Sequence, residues 1–296
     1  MPIEHEKTTV IVYLNGEFLD AHDAKISPFD RGFLFGDGVY EVCAVYQRHL
    51  YEWAAHCRRL FLSLQRVHLS LGYSEQQLAD IAHQLLEKNG FENATVYLQI
   101  SRGAVIGKRD HFYTPGLVPT IFAYANPWPE AMLEQRPTLK VITLADQRWQ
   151  RGQIKSVNLL ANTEARQQVH AQQLDEAILT RGDEVVEGTS SNVLLVKDGS
   201  VITPPEQPYM LTGITRQVLR RLANENGLPF IERRVSVNEL NDADEIWITS
   251  TVRELRLVSE LNGKAMPTNA PVFERMREWF NADKCRAIAN DKQRKS

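Results

Sequence analysis

The chain predicts an α+β fold in two domains, and three observations carry that prediction. Strand-like and helix-like stretches come in runs rather than in strict βαβ alternation, which favours segregated layers over a doubly wound sheet. Prolines bracket a polar stretch, Asn126-Pro127-Trp128-Pro129-Glu130 followed by Gln135-Arg136-Pro137, and this reads as an interdomain linker. No Gly-x-Gly-x-x-Gly opens a helix after a strand, so a dinucleotide fold is not expected. With 296 residues the chain can bury one large core or two moderate ones. The expected division is residues 1–125, a linker over 126–137, and residues 138–296.

The elements follow in order. Val10–Tyr13 and Glu17–Leu19 flank Asn15-Gly16, a strong hairpin signal. Val39–Tyr46 reads as a strand and His56–Leu69 as a helix. Ser74 with Gln77 forms a capping-box pattern before the stripe Leu78, Ile81, Ala82, Leu85 and Leu86, and Asn89-Gly90 ends that helix. Val96–Ile100 and Thr120–Tyr124 are strands. Beyond the linker, Leu139–Thr143 is a strand, Ile154–Leu160 is apolar and strand-like, and a polar helix spans about Asn162–Gln173. Two hairpins turn at Arg181-Gly182-Asp183 and Lys197-Asp198-Gly199. Thr215–Asn226 is a helix closed by Gly227, Glu245–Ser250 and Leu255–Val258 are strands, and Phe273–Ala289 is a terminal helix.

Composition narrows the function. A net charge of −3, with no block of basic residues beyond the tail Lys292–Ser296, argues against a nucleic-acid or membrane-surface role. The N-terminal stretch Met1–Lys7 has no apolar core, and no apolar run approaches the length of a membrane span. Cys43, Cys57 and Cys285 form neither a disulfide framework nor a zinc motif, which suits a reducing cytoplasm.

Two charges then stand out. Lys155 interrupts the apolar run Ile154–Leu160, and Glu187 sits in Glu184-Val185-Val186-Glu187-Gly188. A desolvated lysine is a nucleophilic amine suited to a Schiff base, and a buried carboxylate needs a cation such as a protonated pyridine nitrogen. The pair points to pyridoxal phosphate, although surface positions or an ordinary ion pair account for it more simply. Thr212-Gly213-Ile214-Thr215-Arg216 precedes a helix whose first amides suit a phosphate, unless Thr215 is only an N-cap. Thr249-Ser250-Thr251 offers three hydroxyls at a strand end, and Arg58-Arg59 offers a cation. The loop Gly107–Tyr113 carries Arg109 and His111, which could grip a carboxylate or simply be solvated.

Taken together and in order, these segments resemble the fold-type IV pyridoxal-phosphate aminotransferases, most closely the bacterial D-amino-acid aminotransferases. The resemblance rests on Asp30–Val42, His56–Leu60, Ile154–Leu160, Glu187–Val193, Leu211–Arg216 and Thr249–Thr251, and spans about residues 10–265. It implies a small N-terminal α/β domain and a larger, β-barrel-like C-terminal domain that carries the Schiff-base lysine, Lys155. It implies that Lys155 also shuttles the substrate proton and that Glu187 holds the pyridine nitrogen. Arg59, the amides of Ile214 and Thr215, and Ser250 with Thr251 would bind the phosphate, and Leu211 would lie against the ring. Tyr40, Arg109 and His111 would bind the substrate carboxylate, with the Arg109 loop one residue longer than the family pattern. Implied partners are D-amino acids and 2-oxo acids, in a homodimer, with neither nucleic acid nor membrane. Branched-chain L-aminotransferases, (R)-amine transaminases and aminodeoxychorismate lyases share the fold, and a non-catalytic vitamin B6-binding protein is the remote alternative.

Overall fold

A computed structural model describes residues 10–113, 115–128 and 138–295. The N-terminal stretch Met1–Lys7, the linker positions 129–137 and Ser296 lie outside the described residues. The chain divides into two compact units, Met1–Glu130 with Lys155–Asn158, and Ala131–Ile154 with Leu159–Ser296.

The first unit is an antiparallel six-stranded sheet in the order β2-β1-β6-β5-β3-β4. Its elements are β1 (Ile11–Leu14), β2 (Glu17–Asp20), α1 (Arg31–Phe35), β3 (Gly38–Tyr46), β4 (His49–Leu50), α2 (Trp53–Arg66), α3 (Glu75–Asn89), β5 (Ala94–Ser101) and β6 (Thr120–Pro127). The Asn15-Gly16 hairpin forms with Ile11 opposite Asp20. Strand β6 continues through Asn126 and Pro127, paired with Thr95 and Ala94, so these two residues belong to the sheet rather than to the expected linker. Helix α3 starts in the expected capping box, and its apolar stripe is buried.

Side chains alternate across β3. Val39, Glu41, Cys43 and Val45 point to the buried face, which α2 covers. Tyr40 lies on the other face and stacks on Tyr97 with ring centroids 5.5 Å apart. Tyr124 continues this aromatic row, 5.1 Å from Tyr97.

The second unit is a nine-stranded mixed sheet. It comprises β7 (Leu139–Ala145), α4 (Leu160–Ala171), β8 (Glu176–Arg181), β9 (Glu184–Gly188), β10 (Asn192–Lys197), β11 (Ser200–Thr203), α5 (Ile214–Glu225), β12 (Phe230–Glu232), α6 (Val237–Asn241), β13 (Glu245–Ser250), β14 (Glu254–Leu261), β15 (Lys264–Ala265) and α7 (Pro271–Lys295). The path runs β12-β11-β10-β13-β14-β7-β8-β9, with β15 on β14. Strand β9, at the end of this path, comes back beside β10, so the sheet curls toward a half-barrel. Its core includes Val141, Ile178, Val193, Leu195, Ile246, Ile248 and Val258. The α+β prediction and the barrel-like second sheet therefore hold.

Three expectations change. Residues 154–159 are not a strand; one β-bridge, Val39 with Ser156, is their only sheet pairing among the described residues. Lys155 is half-buried rather than fully buried. The expected division placed Lys155 in the C-terminal domain, whereas residues 155–158 group with the first unit.

The loop after β5 is held by a charge cluster. Asp37 Oδ2 accepts from Arg31 Nε at 2.9 Å and from Arg102 Nε at 2.8 Å. Arg31 then donates to the carbonyls of Asp110 (2.7 Å) and His111 (3.0 Å), which pins the far end of the loop. Gly103 opens it with φ +88°, where a Cβ would meet the Val118 carbonyl oxygen at 2.0 Å, so no larger residue fits. Burial pushes the Asp37 pKa up, but the hydrogen bonds and charges of Arg102 and Arg31 overcome this and hold it low. A carboxylate with a depressed folded pKa stabilises the fold above its unfolded pKa, about 3.9, and loses that contribution as pH falls through the folded value. Asp37→Asn should therefore lower the melting temperature at neutral pH, and the gap from wild type should close below about pH 4. Thermal denaturation across pH checks this; a gap that is constant with pH would contradict it.

Candidate active site

Lys155 is placed by its backbone. Its carbonyl accepts from the Tyr40 amide at 2.9 Å, its amide donates to Ser63 Oγ of α2 at 3.3 Å, and the Val157 amide donates to the Gly38 carbonyl at 3.1 Å. The segment thus rests against the start of β3 and one turn of α2. Lys155 Nζ stands 4.2 Å from the centroid of the Tyr40 ring. The structure brings Lys155 and Tyr40 together.

Arg59 lies on α2, four residues before Ser63, with its side chain 11% exposed. Its Nε donates to Glu41 Oε1 at 2.6 Å and its Nη2 to Glu41 Oε2 at 2.8 Å. His56 Nδ1 lies 2.8 Å from Glu41 Oε2. Arg58 is exposed, so Arg59 is the arginine turned inward. Glu41 and His56 were not singled out from sequence. The signal for Glu41 was available, because it is a charge at an inward position of the alternating β3 pattern.

Arg109 and His111 are both exposed and flank the Phe35 ring, at 5.0 Å and 5.3 Å from its centroid. Among the described residues neither makes a hydrogen bond, ion pair or ring contact with Tyr40 or Lys155. The first unit therefore brings Lys155 to Tyr40, sets Arg59 one helical turn before the Ser63 that receives the Lys155 amide, and holds Arg109 and His111 in a separate cluster.

In the second unit Glu187 is buried at the end of β9. Arg148 Nη1 donates to its Oε1 at 2.5 Å. The Leu211 amide lies 3.0 Å from Oε2, and Asn192 Nδ2 donates to Oε2 at 3.1 Å. Burial pushes the Glu187 pKa up and outweighs the Arg148 charge and hydrogen bond and the Leu211 amide, so the net shift is upward. Arg148 is itself oriented by Asp146, which it meets at 2.8 Å through Nε, and Asp146 also takes Arg181 Nε at 2.8 Å. Arg148, Asp146 and Asn192 went unrecognised in the sequence, since Arg148 is 39 residues from Glu187 and no local pattern marks it.

Helix α5 begins at Ile214 with Gly213 as N-cap and no side-chain cap. Thr215 is therefore inside the first turn and is not the cap. Helices α3 and α6, by contrast, both carry complete capping boxes. The Gly213 amide donates to Asn192 Oδ1 at 3.0 Å, and a Cβ on Gly213 would come within 2.0 Å of that oxygen. Thr215 is buried, and Arg216 beside it has Nε and Nη1 buried without partners. An uncapped helix start with a buried hydroxyl and guanidinium suits an anion such as a phosphate ester. In the β13–β14 turn, Thr249 Oγ1 donates to the Glu254 carbonyl and Ser250 Oγ accepts from the Arg253 amide. Thr249 braces the turn, and Thr251, half-buried, opens it. Each unit thus carries groups of the kinds that bind pyridoxal phosphate: an amine and an arginine in the first, a buried carboxylate and uncapped helix amides in the second. Among the described residues no group of three or more His, Cys, Asp or Glu side chains could hold a metal, and no helix is long and apolar enough to cross a membrane.

Comparison with known proteins identifies the family and the fold. The family model for amino-transferase class IV matches residues 38–261. A D-alanine aminotransferase of Staphylococcus haemolyticus is 37% identical over 273 residues, covering 91% of this chain and 96% of that protein. The fold is similar to that of the branched-chain amino acid aminotransferase of Escherichia coli, with a TM-score of 0.84, 22% identity, and coverage of 93% and 94% of the two chains. The branched-chain aminotransferase of the archaeon Thermoproteus uzoniensis, solved with norvaline, has a TM-score of 0.81 at 23% identity, covering 92% of this chain and 93% of its own. The chain belongs to the class IV aminotransferases.

Proposed function

We propose that this protein is a pyridoxal-phosphate-dependent D-amino-acid aminotransferase. It moves an amino group from a D-amino acid to a 2-oxo acid, such as 2-oxoglutarate or pyruvate, in two half-reactions of a ping-pong cycle. The similarity to D-alanine aminotransferases along 91% of the chain carries the reading. The Arg109-Asp110-His111 loop supports the D hand, because the branched-chain L-enzymes of this fold lack that pattern.

Bound pyridoxal phosphate supplies an electron sink for the pair left on the substrate α-carbon when its proton departs. Lys155 holds the cofactor through Nζ. The Lys155 amine, when free and neutral, would be the base that takes the proton from the substrate α-carbon. Glu187 would hold the protonated pyridine nitrogen, and the Arg148 charge and hydrogen bond favour its carboxylate form against the upward push of burial. Arg59, the Ile214 and Thr215 amides, and Ser250 with Thr251 would hold the phosphate, and Leu211 would lie against the ring. Tyr40 would line the substrate side beside Lys155, and Arg109 and His111, held apart from it on Phe35, would be the groups that bind the substrate α-carboxylate. The reading includes a homodimer, for which Phe33, Ile106, Phe112 and Val118 offer exposed apolar surface. Three unpaired cysteines suit a reducing cytoplasm.

A panel of D- and L-amino acids with 2-oxoglutarate or pyruvate as acceptor tests the assignment. D-alanine and other D-amino acids should turn over, and a preference for L-valine or L-leucine would replace the D reading with a branched-chain one. Lys155→Ala should cut steady turnover by about 10³-fold or more, given the scale of a lost general base. Arg109→Ala removes charge-assisted hydrogen bonds of roughly 1.5–3 kcal/mol, so KM for the amino acid should rise about 10- to 100-fold in steady-state kinetics. An unchanged KM would remove Arg109 from the carboxylate site.

A further inference from the structure

Glu41 is the most deeply buried charge beside the Lys155 segment, only 3% exposed, and the roles proposed above leave it unused. Both its oxygens are occupied: Oε1 by Arg59 Nε at 2.6 Å, and Oε2 by Arg59 Nη2 at 2.8 Å and His56 Nδ1 at 2.8 Å. Burial pushes the Glu41 pKa up, yet the charge and hydrogen bonds of Arg59, with the His56 bond, drive it far below the ordinary carboxylate range. His56 is pushed down by its own burial, which favours a neutral ring donating from Nδ1. The group is thus an ionised carboxylate clamped between a guanidinium fork and a neutral imidazole.

Such a buried pair is a poor source of stability, because desolvating two charges offsets most of their attraction. Its distinctive effect is geometric. A free arginine side chain samples many rotamers, and a bidentate carboxylate removes much of that freedom before any ligand arrives. The pair engages the Nε–Nη2 edge of the guanidinium, which fixes its plane on α2.

We propose that Glu41 is a positioning residue: it presents Arg59 to the phosphate of the cofactor, with His56 as a second brace, and never touches the phosphate itself. This rests on the reading that Arg59 binds that phosphate. It predicts that phosphate affinity depends on the orientation of Arg59 and not only on its charge.

The test compares pyridoxal phosphate with pyridoxal, which has the same aldehyde and ring but no phosphate. Apo-protein is titrated with each, and binding is followed by the absorbance of the bound aldehyde. Glu41→Gln should weaken pyridoxal phosphate by about tenfold or more, while pyridoxal stays within about twofold of wild type. Glu41→Asp, which keeps the charge but draws it back by one methylene, should show a smaller loss of the same phosphate-specific kind. Equal losses for both ligands, or no loss, would overturn the proposal in favour of a purely structural Glu41. If the Glu41 variants do not fold, Arg59→Lys decides. It keeps the charge but cannot make the bidentate contact, so full retention of pyridoxal phosphate affinity rules out a need for orientation. Should Arg59→Lys weaken pyridoxal as much as pyridoxal phosphate, the phosphate role of Arg59 fails instead, and with it the reading beneath this proposal.

Discussion

The bond from the Tyr40 amide to the Lys155 carbonyl, at 2.9 Å, is the constraint on which the lysine's placement depends. With the Val157–Gly38 bond and the Val39–Ser156 bridge it seats a short irregular segment against β3. The geometry of β3 then sorts the chemistry. Tyr40 and Glu41 are adjacent in sequence and opposite in direction, as the two-residue period of a strand requires. One reaches the Lys155 amine and the other braces Arg59. A one-residue slip in the β3–β5 register would exchange the two faces and separate both pairs at once.

Elsewhere the molecule handles buried charge by chaining it. Glu187 rests on Arg148, Arg148 on Asp146, and Asp146 on Arg181 as well. Glu41 rests on Arg59 and His56, and Asp37 on Arg31 and Arg102. In each case a carboxylate ends up with more than one donor, so none of these carboxylates is left unpaired in a low-dielectric setting. Each chain also fixes a side chain or loop whose direction matters: Glu187 itself, Arg59, and the Arg109–His111 loop.

What was legible in the sequence was local. The Asn15-Gly16 hairpin, the Ser74–Gln77 capping box and the Gly90 terminus are signals contained within a few residues, and each formed as expected. Lys155 and Glu187 drew attention because a charge in an apolar run is conspicuous. The expected strand around Lys155 did not form, since an apolar run satisfied by one bridge and a helix hydroxyl needs no ladder. The missing partners were long-range. Arg102 meets Asp37 across 65 residues and Arg148 meets Glu187 across 39, and a single sequence carries no trace of such pairings. The Arg109–His111 pair was visible as a motif, but its seat on Phe35 and its tether to Arg31 were not.

Asn192 shows how closely the parts of the second unit are joined. Its amide nitrogen donates to Glu187 Oε2 and to the Leu211 carbonyl, while its oxygen accepts from the Gly213 amide. A planar group with donors at one end and an acceptor at the other is the chemistry these neighbours require. Asparagine is also a thermolabile residue. Deamidation at this one position would set a second carboxylate against Glu187 and take the donor from the Leu211 carbonyl, while the Gly213 amide would keep its acceptor. Its burial in a strand, with β-branched Val193 following, slows that reaction. The same packing that aligns the amide therefore also protects the protein against chemical ageing.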